Sequence, residues 1–329
     1  MYQPEMYGAV LAFMLVSMFC WGSWANTLKL CPGYRFQLFY WDYVIGLFVG
    51  VCLWGFTLGS LGGSGKVFLA DVAGVSLGNA LLAIIGGIIF NVANLLLVAA
   101  IDIAGLAVAF PVGIGLALVI GAVSNYVISP KGNPLLLFGG IALIVVAILF
   151  DAMAYKNREE THQKTGWRGI LISLLAGVLM GCFYPFVSAA MSGPLPVGPY
   201  AATLFFSIGV ALCAIPFNGF LMRRPLDGGA PTTMQEYFRA SGNSHLWGVL
   251  GGLIWCTGAL MNFVASGAHL VGPAISYSIG QGATMVSAAW GVLVWREFSA
   301  APRLARQLVG WMFVLFLAGL TGIALAPLY

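Results

Sequence analysis

The sequence predicts an all-α integral membrane protein of ten transmembrane helices arranged as a 5+5 inverted repeat. Three observations carry that prediction. Of 329 residues, 60% are hydrophobic and 7% charged, whereas a soluble domain spends about a quarter of its residues on charge. Lipid must therefore solvate most of the surface. The apolar residues fall into ten runs of spanning length, with the Lys and Arg residues sorted to alternate loops between them. Short motifs of the first half return in the second. The forty-four glycines suit close helix approach in lipid, and the period-2 alternation of a membrane barrel is absent.

A spanning helix needs about twenty apolar residues. The runs cover 6–29, 36–60, 75–101, 105–128, 134–153, 169–191, 200–222, 245–267, 271–295 and 305–326. The first lacks a basic n-region and is long enough to span, so it reads as a helix and not a cleaved signal. Its Trp21 and Trp24 share a face. The second holds Asp42 in "FYWDYVIG", about one and a half turns inside. In the third, Asn91 and Asn94 share a face at i and i+3. Asp102 divides it from the fourth, which carries "FPVGIG" (110–115). The sixth has Tyr184 beside Pro185, and the eighth has Asn262. His269 and Pro273 divide the eighth from the ninth, where Tyr277, Gln281 and Thr284 form a polar stripe at i, i+4 and i+7. In the tenth, Ala318 and Gly322 can serve a homodimer face or internal packing.

Charge fixes the expected orientation. Lys29, Arg35, Lys156, Arg158, Lys164, Arg168, Arg223, Arg224, Arg239, Arg296, Arg303 and Arg306 fall on one side, and Lys66 and Lys131 on the other. Under the positive-inside rule this places both termini outside a plasma (inner) membrane. It divides the chain into a first five-helix repeat at 1–155, a cytoplasmic loop at 156–168 and a second, inverted repeat at 169–329. The net charge of +4 is thus a topology signal, and no nucleic-acid partner is expected.

The repeat is visible in detail. "GGIIF" (86–90) returns as "GGLIW" (251–255). Asp102, Gly105, Phe110, Gly113 and Gly115 return as His269, Gly272, Tyr277, Gly280 and Gly282. Five spans separate the copies, an odd number, so the second enters the membrane upside down, a common plan among secondary transporters. "FPVGIG" and "YSIGQG" (277–282) are not phosphate loops, because neither has the Lys-Ser/Thr that follows the glycines of a nucleotide cradle. "GSLGGSGKV" (59–67) misses the same pattern. Gly113, Gly115, Gly280 and Gly282 read as positions of close backbone approach. Pro111 reads as a kink that leaves carbonyls for a neighbour or a solute.

Polar groups within spans are costly and mark candidate pathways. Trp21, Trp24, Asn91, Asn94, Phe110, Tyr184, Asn262, Tyr277, Gln281 and Thr284 lie on repeat-related helices and form the candidate solute site. The alternative for each is an interhelical hydrogen bond. No Lys or Arg lies deep in a span, and amides with aromatic faces suit a small, neutral, hydroxyl- or amide-rich solute. Asp42 is the proton-coupling candidate, since burial favours the protonated carboxyl. Its other reading is an interfacial carboxylate paired with Arg35 or Lys29. Asp102, Asp151 and His269, at span ends, read as solvated or capping.

The six cysteines form no CxxC pair and read as small buried hydrophobes, so neither metal nor disulfide is implied. No cofactor is expected. An enzyme would need a clustered nucleophile, base or metal set, and His162, His245 and His269 lie near loops or span ends, with no HExxH or GxSxG motif. A passive channel and an exporter remain as alternatives to an uptake permease.

"GSW" (22–24), "YWDY" (40–43) and "WGVLVWREF" (290–298), with ten spans and an inverted repeat, resemble the drug/metabolite transporter superfamily in its ureide permease and glucose/ribose uptake branches. The resemblance implies proton-coupled uptake of allantoin-like ureides or uracil, or of monosaccharides. The aspartate-tyrosine pair at Asp42–Tyr43 leans towards the ureide branch. Plant ureide permeases carry a long central loop with a nucleotide-binding-like motif. The loop at 156–168 is short and lacks it, so involvement of ATP is not implied.

Overall fold

The computed structural model describes residues 1–63, 65–105, 108–109, 111–158, 167–193, 195–226, 228–268 and 271–329. Among these, every regular element is helical. The helices of the ten apolar runs are α1 (Tyr7–Ser23), α2 (Phe36–Phe56), α3 (Leu77–Ala104), α4 (Pro111–Ile128), α5 (Pro134–Arg158), α6 (Trp167–Ala190), α7 (Pro199–Arg223), α8 (Gly242–Ser266), α9 in two pieces (Pro273–Gly280 and Ala283–Ala289), and α10 (Arg303–Leu325), with short helices at Asn26–Lys29, Leu58–Leu61, Phe68–Gly74 and Met234–Arg239 between them. Nine segments among the described residues are long and apolar enough to cross a membrane. The ninth apolar run is the exception because its helix is interrupted, and the arrangement is compatible with ten crossings.

Local sequence sets the boundaries. Ser76 and Ser241 accept hydrogen bonds from the first-turn amides of α3 and α8 (3.2 and 3.1 Å), satisfying donors that a helix start leaves open. Pro199 and Pro273 occupy the first positions of α7 and α9, where a missing N–H costs nothing. Large apolar side chains such as Phe19, Leu53, Leu135, Leu212, Ile215 and Trp311 are exposed on the outer faces of the helices. In water such a surface would be an aggregation liability, whereas lipid solvates it.

The packing has an exchange symmetry. α1 packs on α8 and α9, as α6 packs on α3 and α4. α2 packs on α8, as α7 packs on α3. The pairs α5–α10, α2–α7 and α4–α9 map onto themselves when each of the first five segments is exchanged for the one five places later. Backbone conformation repeats as well. Gly105 has φ 75°, ψ 162°, and Gly272, its counterpart, has φ 76°, ψ 170°, a region open essentially to glycine alone. Gly272→Ala is expected to cost about 1–3 kcal/mol. The measurement is a lowered thermal midpoint in detergent, and an unchanged midpoint would contradict the strain.

The paired motifs interrupt the helix in both halves. Pro111–Gly115 is a π-helical turn opening α4, and α9 breaks after Gly280 at Gln281 and Gly282. Such interruptions are tolerated at membrane depth only where protein or a cavity satisfies the backbone. A second π turn, Trp290–Val294, follows α9. Two glycines of α10 pack internally, Gly319 meeting Gly140 of α5 and Gly322 lying against the backbone of Leu136 and Gly140, whereas Ala318 is exposed on the outer face.

Candidate functional site

Two apolar clusters divide the molecule. One is built chiefly from α2, α3, α6, α7 and α8, the other from α4, α5, α9 and α10 with part of α1. A cavity of about 260 Å³ lies mainly against the first cluster, lined by residues of α1, α2, α3, α4, α6, α8 and α9. Its aromatic walls are Trp21, Trp24, Phe36, Phe90, Phe183 and Trp255, and its polar groups are Asn94, Gln281, Thr284 and Ser287. No charged side chain lines it.

The repeat builds the floor of this cavity. Phe90 of "GGIIF" and Trp255 of "GGLIW" meet with ring centroids 4.4 Å apart. Trp255 also stacks on Trp21 (5.9 Å, 24°) and Phe206 (5.7 Å, 11°). Offset ring pairs of this kind add about 0.5–1.5 kcal/mol each beyond area burial, so the wall is rigid. The Trp21 Nε1 is buried without a hydrogen-bond partner, and the ring edge bearing it lies against Gly258. Gly22 lets α1 approach Ala283 and Val286 of α9, which brings Gln281 and Thr284 to the cavity.

The structure separates the sequence-predicted residues into two groups. Trp21, Trp24, Asn94, Gln281 and Thr284 line the cavity. Asn91, Tyr184, Asn262 and Tyr277 do not. Asn91 sits behind the wall, where its Oδ1 accepts from the Tyr40 hydroxyl (2.8 Å), and Asn94 Nδ2 donates to that same hydroxyl (3.5 Å). The other three form a fully buried seal beyond the cavity. Tyr184 donates to Asn262 Oδ1 (2.5 Å), and Asn262 Nδ2 donates to Ser17 Oγ (3.1 Å) and to the Ser276 carbonyl (2.9 Å). The Ser276 hydroxyl returns to the Asn262 carbonyl (2.8 Å). Tyr277 reaches the carbonyls of Ala117 and Met180 (3.1 and 3.3 Å). This network ties α1, α4, α6, α8 and α9 together on the side away from Lys29 and Arg158.

Of the hinge candidates, Gly113 is approached by Gly177 of α6, Gly280 by Asn262 and Trp21, and Gly282 by Met18. A Cβ at Gly115 would meet nothing within 4 Å, so close approach does not explain that glycine. Pro111 opens the π turn. Phe110, His162 and His269 lie outside the described residues.

On the other side a second cavity of about 220 Å³ adjoins the first, the two sharing Ala25, Ile101, Thr284 and Ser287. It is lined further by Asn26, Lys29, Asp151, Tyr155 and Glu297. Glu297 accepts from Lys29 (2.8 Å), Tyr155 (3.0 Å) and Arg158 (3.2 Å). Burial alone would raise its carboxyl, but these donors and cations outweigh burial and hold it below the usual range. Trp295 and Trp290 donate to Asn26 Oδ1 (2.7 Å) and Ser23 Oγ (2.9 Å), pinning the end of α9 to α1.

Two carboxylates correct expectations. Asp42 pairs with neither Arg35 nor Lys29, because Arg35 turns to the Ala230 carbonyl and Lys29 to Glu297. Gly248 has no side chain to hold α8 away, so Asp42 seats against that helix. There it accepts from Tyr34 (2.7 Å), Tyr237 (2.7 Å) and His245 Nδ1 (2.9 Å). Burial, followed by the bond to Asp42, pushes the Tyr34 and Tyr237 hydroxyls well above the usual tyrosine range. Asp42 lines neither cavity. Asp151 is not solvated, since it is 5% exposed and its Oδ1 is buried with no partner. Asp102, by contrast, is exposed as expected.

Phe36, Phe90, Phe183, Met180, Trp255 and Ser287 also line the cavity and are not among the residues predicted from the sequence. The signal for two of them was present, because Phe90 and Trp255 are equivalent positions of the repeat.

The family model described as "Sugar transport protein" matches residues 51–324. Ureide permease 4 of Arabidopsis thaliana is 23% identical over 392 aligned positions, covering 97% of both chains. Ureide permease 1 of the same plant is 22% identical, covering 96% of both. The probable glucose uptake protein GlcU of Priestia megaterium is 23% identical over 257 positions, covering 74% of this chain and 78% of that protein. One solved crystal structure is similar over 96% of both chains with a TM-score of 0.60 at 16% identity, a likeness of fold alone. With the match spanning most of the chain, the protein belongs to the Sugar transport protein family of multi-pass membrane transporters of small solutes.

Proposed function

We propose that the protein is a secondary active, proton-coupled permease that takes up a small neutral polar solute by alternating access. The solute class is ureide- or uracil-like, or a monosaccharide. One observation carries the reading: a neutral, aromatic-walled cavity lies between repeat-related helices, sealed by buried hydrogen bonds on one side and adjoined by a polar vestibule on the other. The exchange symmetry of the packing supports an inverted repeat of 1–155 and 169–329, whose halves rock about the central site. The basic side is cytoplasmic by the positive-inside rule, which makes this conformation inward-facing in a plasma membrane with both termini outside.

The chemistry of the walls selects the solute. With no charged side chain in the lining, an ionic solute would enter without a counter-charge, at a large desolvation cost. Flat rings bury a planar or puckered solute ring, while the Asn94 and Gln281 amides and the Thr284 and Ser287 hydroxyls each offer both donors and acceptors. In the opposite conformation the seal must open, and Tyr184, Asn262 and Tyr277 then face the solute path. The relatives' names, ureide permease and glucose uptake protein, support the same class.

The test is counterflow of radiolabelled allantoin, uracil and glucose in proteoliposomes. Saturable counterflow of one of them, self-inhibited by the unlabelled compound, is expected. Absence of counterflow for all three overturns the reading, and a conductance without counterflow replaces it with a channel.

A further inference from the structure

We propose that Asp151, in the vestibule beside the solute cavity, is a proton-binding site, and that it carries the coupling proton in place of Asp42. The coupling half of this statement rests on the proton-coupled reading above.

Position favours Asp151. It lines the vestibule next to Thr284 and Ser287, which also line the solute cavity. A protonation change there is one shared wall from the solute. Asp42 lines neither space.

Partnering favours it more strongly. Both oxygens of Asp42 are supplied, Oδ2 by Tyr34 and Oδ1 by Tyr237, with His245 across both. These donors tie α2, α8 and the short helix Met234–Arg239 into a fixed latch and leave neither oxygen of Asp42 without a partner. Asp151 is 5% exposed, and its Oδ1 has no hydrogen-bond partner. An unpaired buried carboxylate is costly, and a proton at that oxygen removes the charge. The bookkeeping is simple: one O–H bond forms on binding, and the same proton leaves to water at the vestibule on release.

The surrounding charges direct the proton to this carboxyl. The ionisable groups around the vestibule are Tyr155 and Arg158 on α5 itself, Glu297 from the segment after α9, and Lys29 at the end of α1. α10 offers only Arg303 and Arg306, both exposed, and the π turn of α4 and the Ala283–Ala289 piece offer no ionisable side chain. Lys29 and Arg158 are both engaged by Glu297 (2.8 and 3.2 Å), which keeps that carboxylate charged. Asp151 is left with a neighbouring anion and, among the described residues, no cation paired with it. The other carboxylate lining the vestibule, Glu297, is taken up by Lys29, Tyr155 and Arg158, and the remaining oxygens of Asn26, Thr284 and Ser287 do not make the cage that a metal cation requires, so a proton is the fitting ligand.

The experiment has two readouts on purified full-length protein. Infrared difference spectra between low and high pH are expected to show a protonated-carboxyl C=O band that Asp151→Asn loses and Asp42→Asn keeps. In proteoliposomes under an imposed pH gradient, with whichever of allantoin, uracil or glucose gives counterflow, Asp151→Asn is expected to lose accumulation. Its counterflow should survive, which also certifies folding. Asp151→Glu should accumulate solute with a displaced pH profile. A band that persists in Asp151→Asn, or accumulation that survives in it, overturns the proposal. If the wild type accumulates none of the three solutes while Asp151→Asn still loses the band, the proton site stands and coupled transport is rejected.

Discussion

Gly252→Ala is expected to destabilise the folded protein markedly, and Gly46→Ala nearly as much. These two glycines are where α8 and α2 cross. A Cβ on Gly252 would overlap the Tyr43 carbonyl oxygen and lie 2.9 Å from the Gly46 Cα, and a Cβ on Gly46 would lie 2.8 Å from the Gly252 Cα. The obstacles are backbone atoms, which no rotamer change moves. Lipid gives helices no hydrophobic reason to associate, so van der Waals contact at such crossings holds the bundle. Forcing the backbones apart costs about 1–3 kcal/mol or more, and the same separation would move Trp255, one turn along α8, out of its ring stack. By the repeat, Gly87 and Gly209 should behave alike, since a Cβ on either would overlap the carbonyl of Phe206 or Ile84 where α3 meets α7. The measurement is the monodisperse fraction after detergent extraction and its thermal midpoint, lowered by roughly 2–6 °C at about 2 °C per kcal/mol. Gly78→Ala and Gly139→Ala, where a Cβ meets nothing within 4 Å, should leave both unchanged. A Gly252→Ala protein as stable as these controls would show that the crossing is looser than the structure has it.

Much of this architecture was legible before any coordinates, because lipid demands apolar runs of fixed length and the repeat left its marks in pairs. Gly105 and Gly272 were readable as equivalents, and they share a backbone conformation. Pro111 was readable as a kink and Gly280 and Gly282 as points of close approach, and both stretches prove to interrupt their helices. What periodicity cannot give is the neighbour that a face meets. Asn94 and Asn91 share a face of α3, yet one lines the cavity and the other is held behind it by Tyr40. Asn262 and Gln281 read alike as polar groups in spans, but the first is spent in the seal. The partners of Asp42 at Tyr237 and His245 lie about two hundred residues away, beyond any local rule. Asp151 was misread for a different reason. The apolar run ends at 153, but the helix continues to Arg158, about two turns past Asp151, so a residue that looked terminal is interior.

Trp255→Ala is expected to weaken solute binding by roughly 10- to 100-fold, and Gln281→Ala by roughly 2- to 13-fold. The larger figure follows from what the indole does. It stands at the floor of a cavity of about 260 Å³, in ring contact with Trp21, Phe90 and Phe206. Removing it deletes a flat wall and loosens two others, Trp21 and Phe90, a loss of about 1.4–2.8 kcal/mol for a solute stacked there. Gln281 can contribute one hydrogen bond to a neutral solute, worth about 0.5–1.5 kcal/mol net of water, hence the smaller factor. Asn262→Ala separates wall from seal. It removes the donor to the Ser17 hydroxyl and leaves Tyr184 only its long bond to the Asn262 carbonyl (3.4 Å), and so destabilises the sealed conformation by about 1–3 kcal/mol. Its signature should be a changed exchange rate, whereas the wall variants should raise the half-saturating concentration. The readout is equilibrium binding and counterflow of allantoin, uracil and glucose on the three variants, each checked for monodispersity. If Trp255→Ala binds the active solute as tightly as wild type while Asn262→Ala does not, the solute sits in the seal, and the aromatic cavity is only a passage to it.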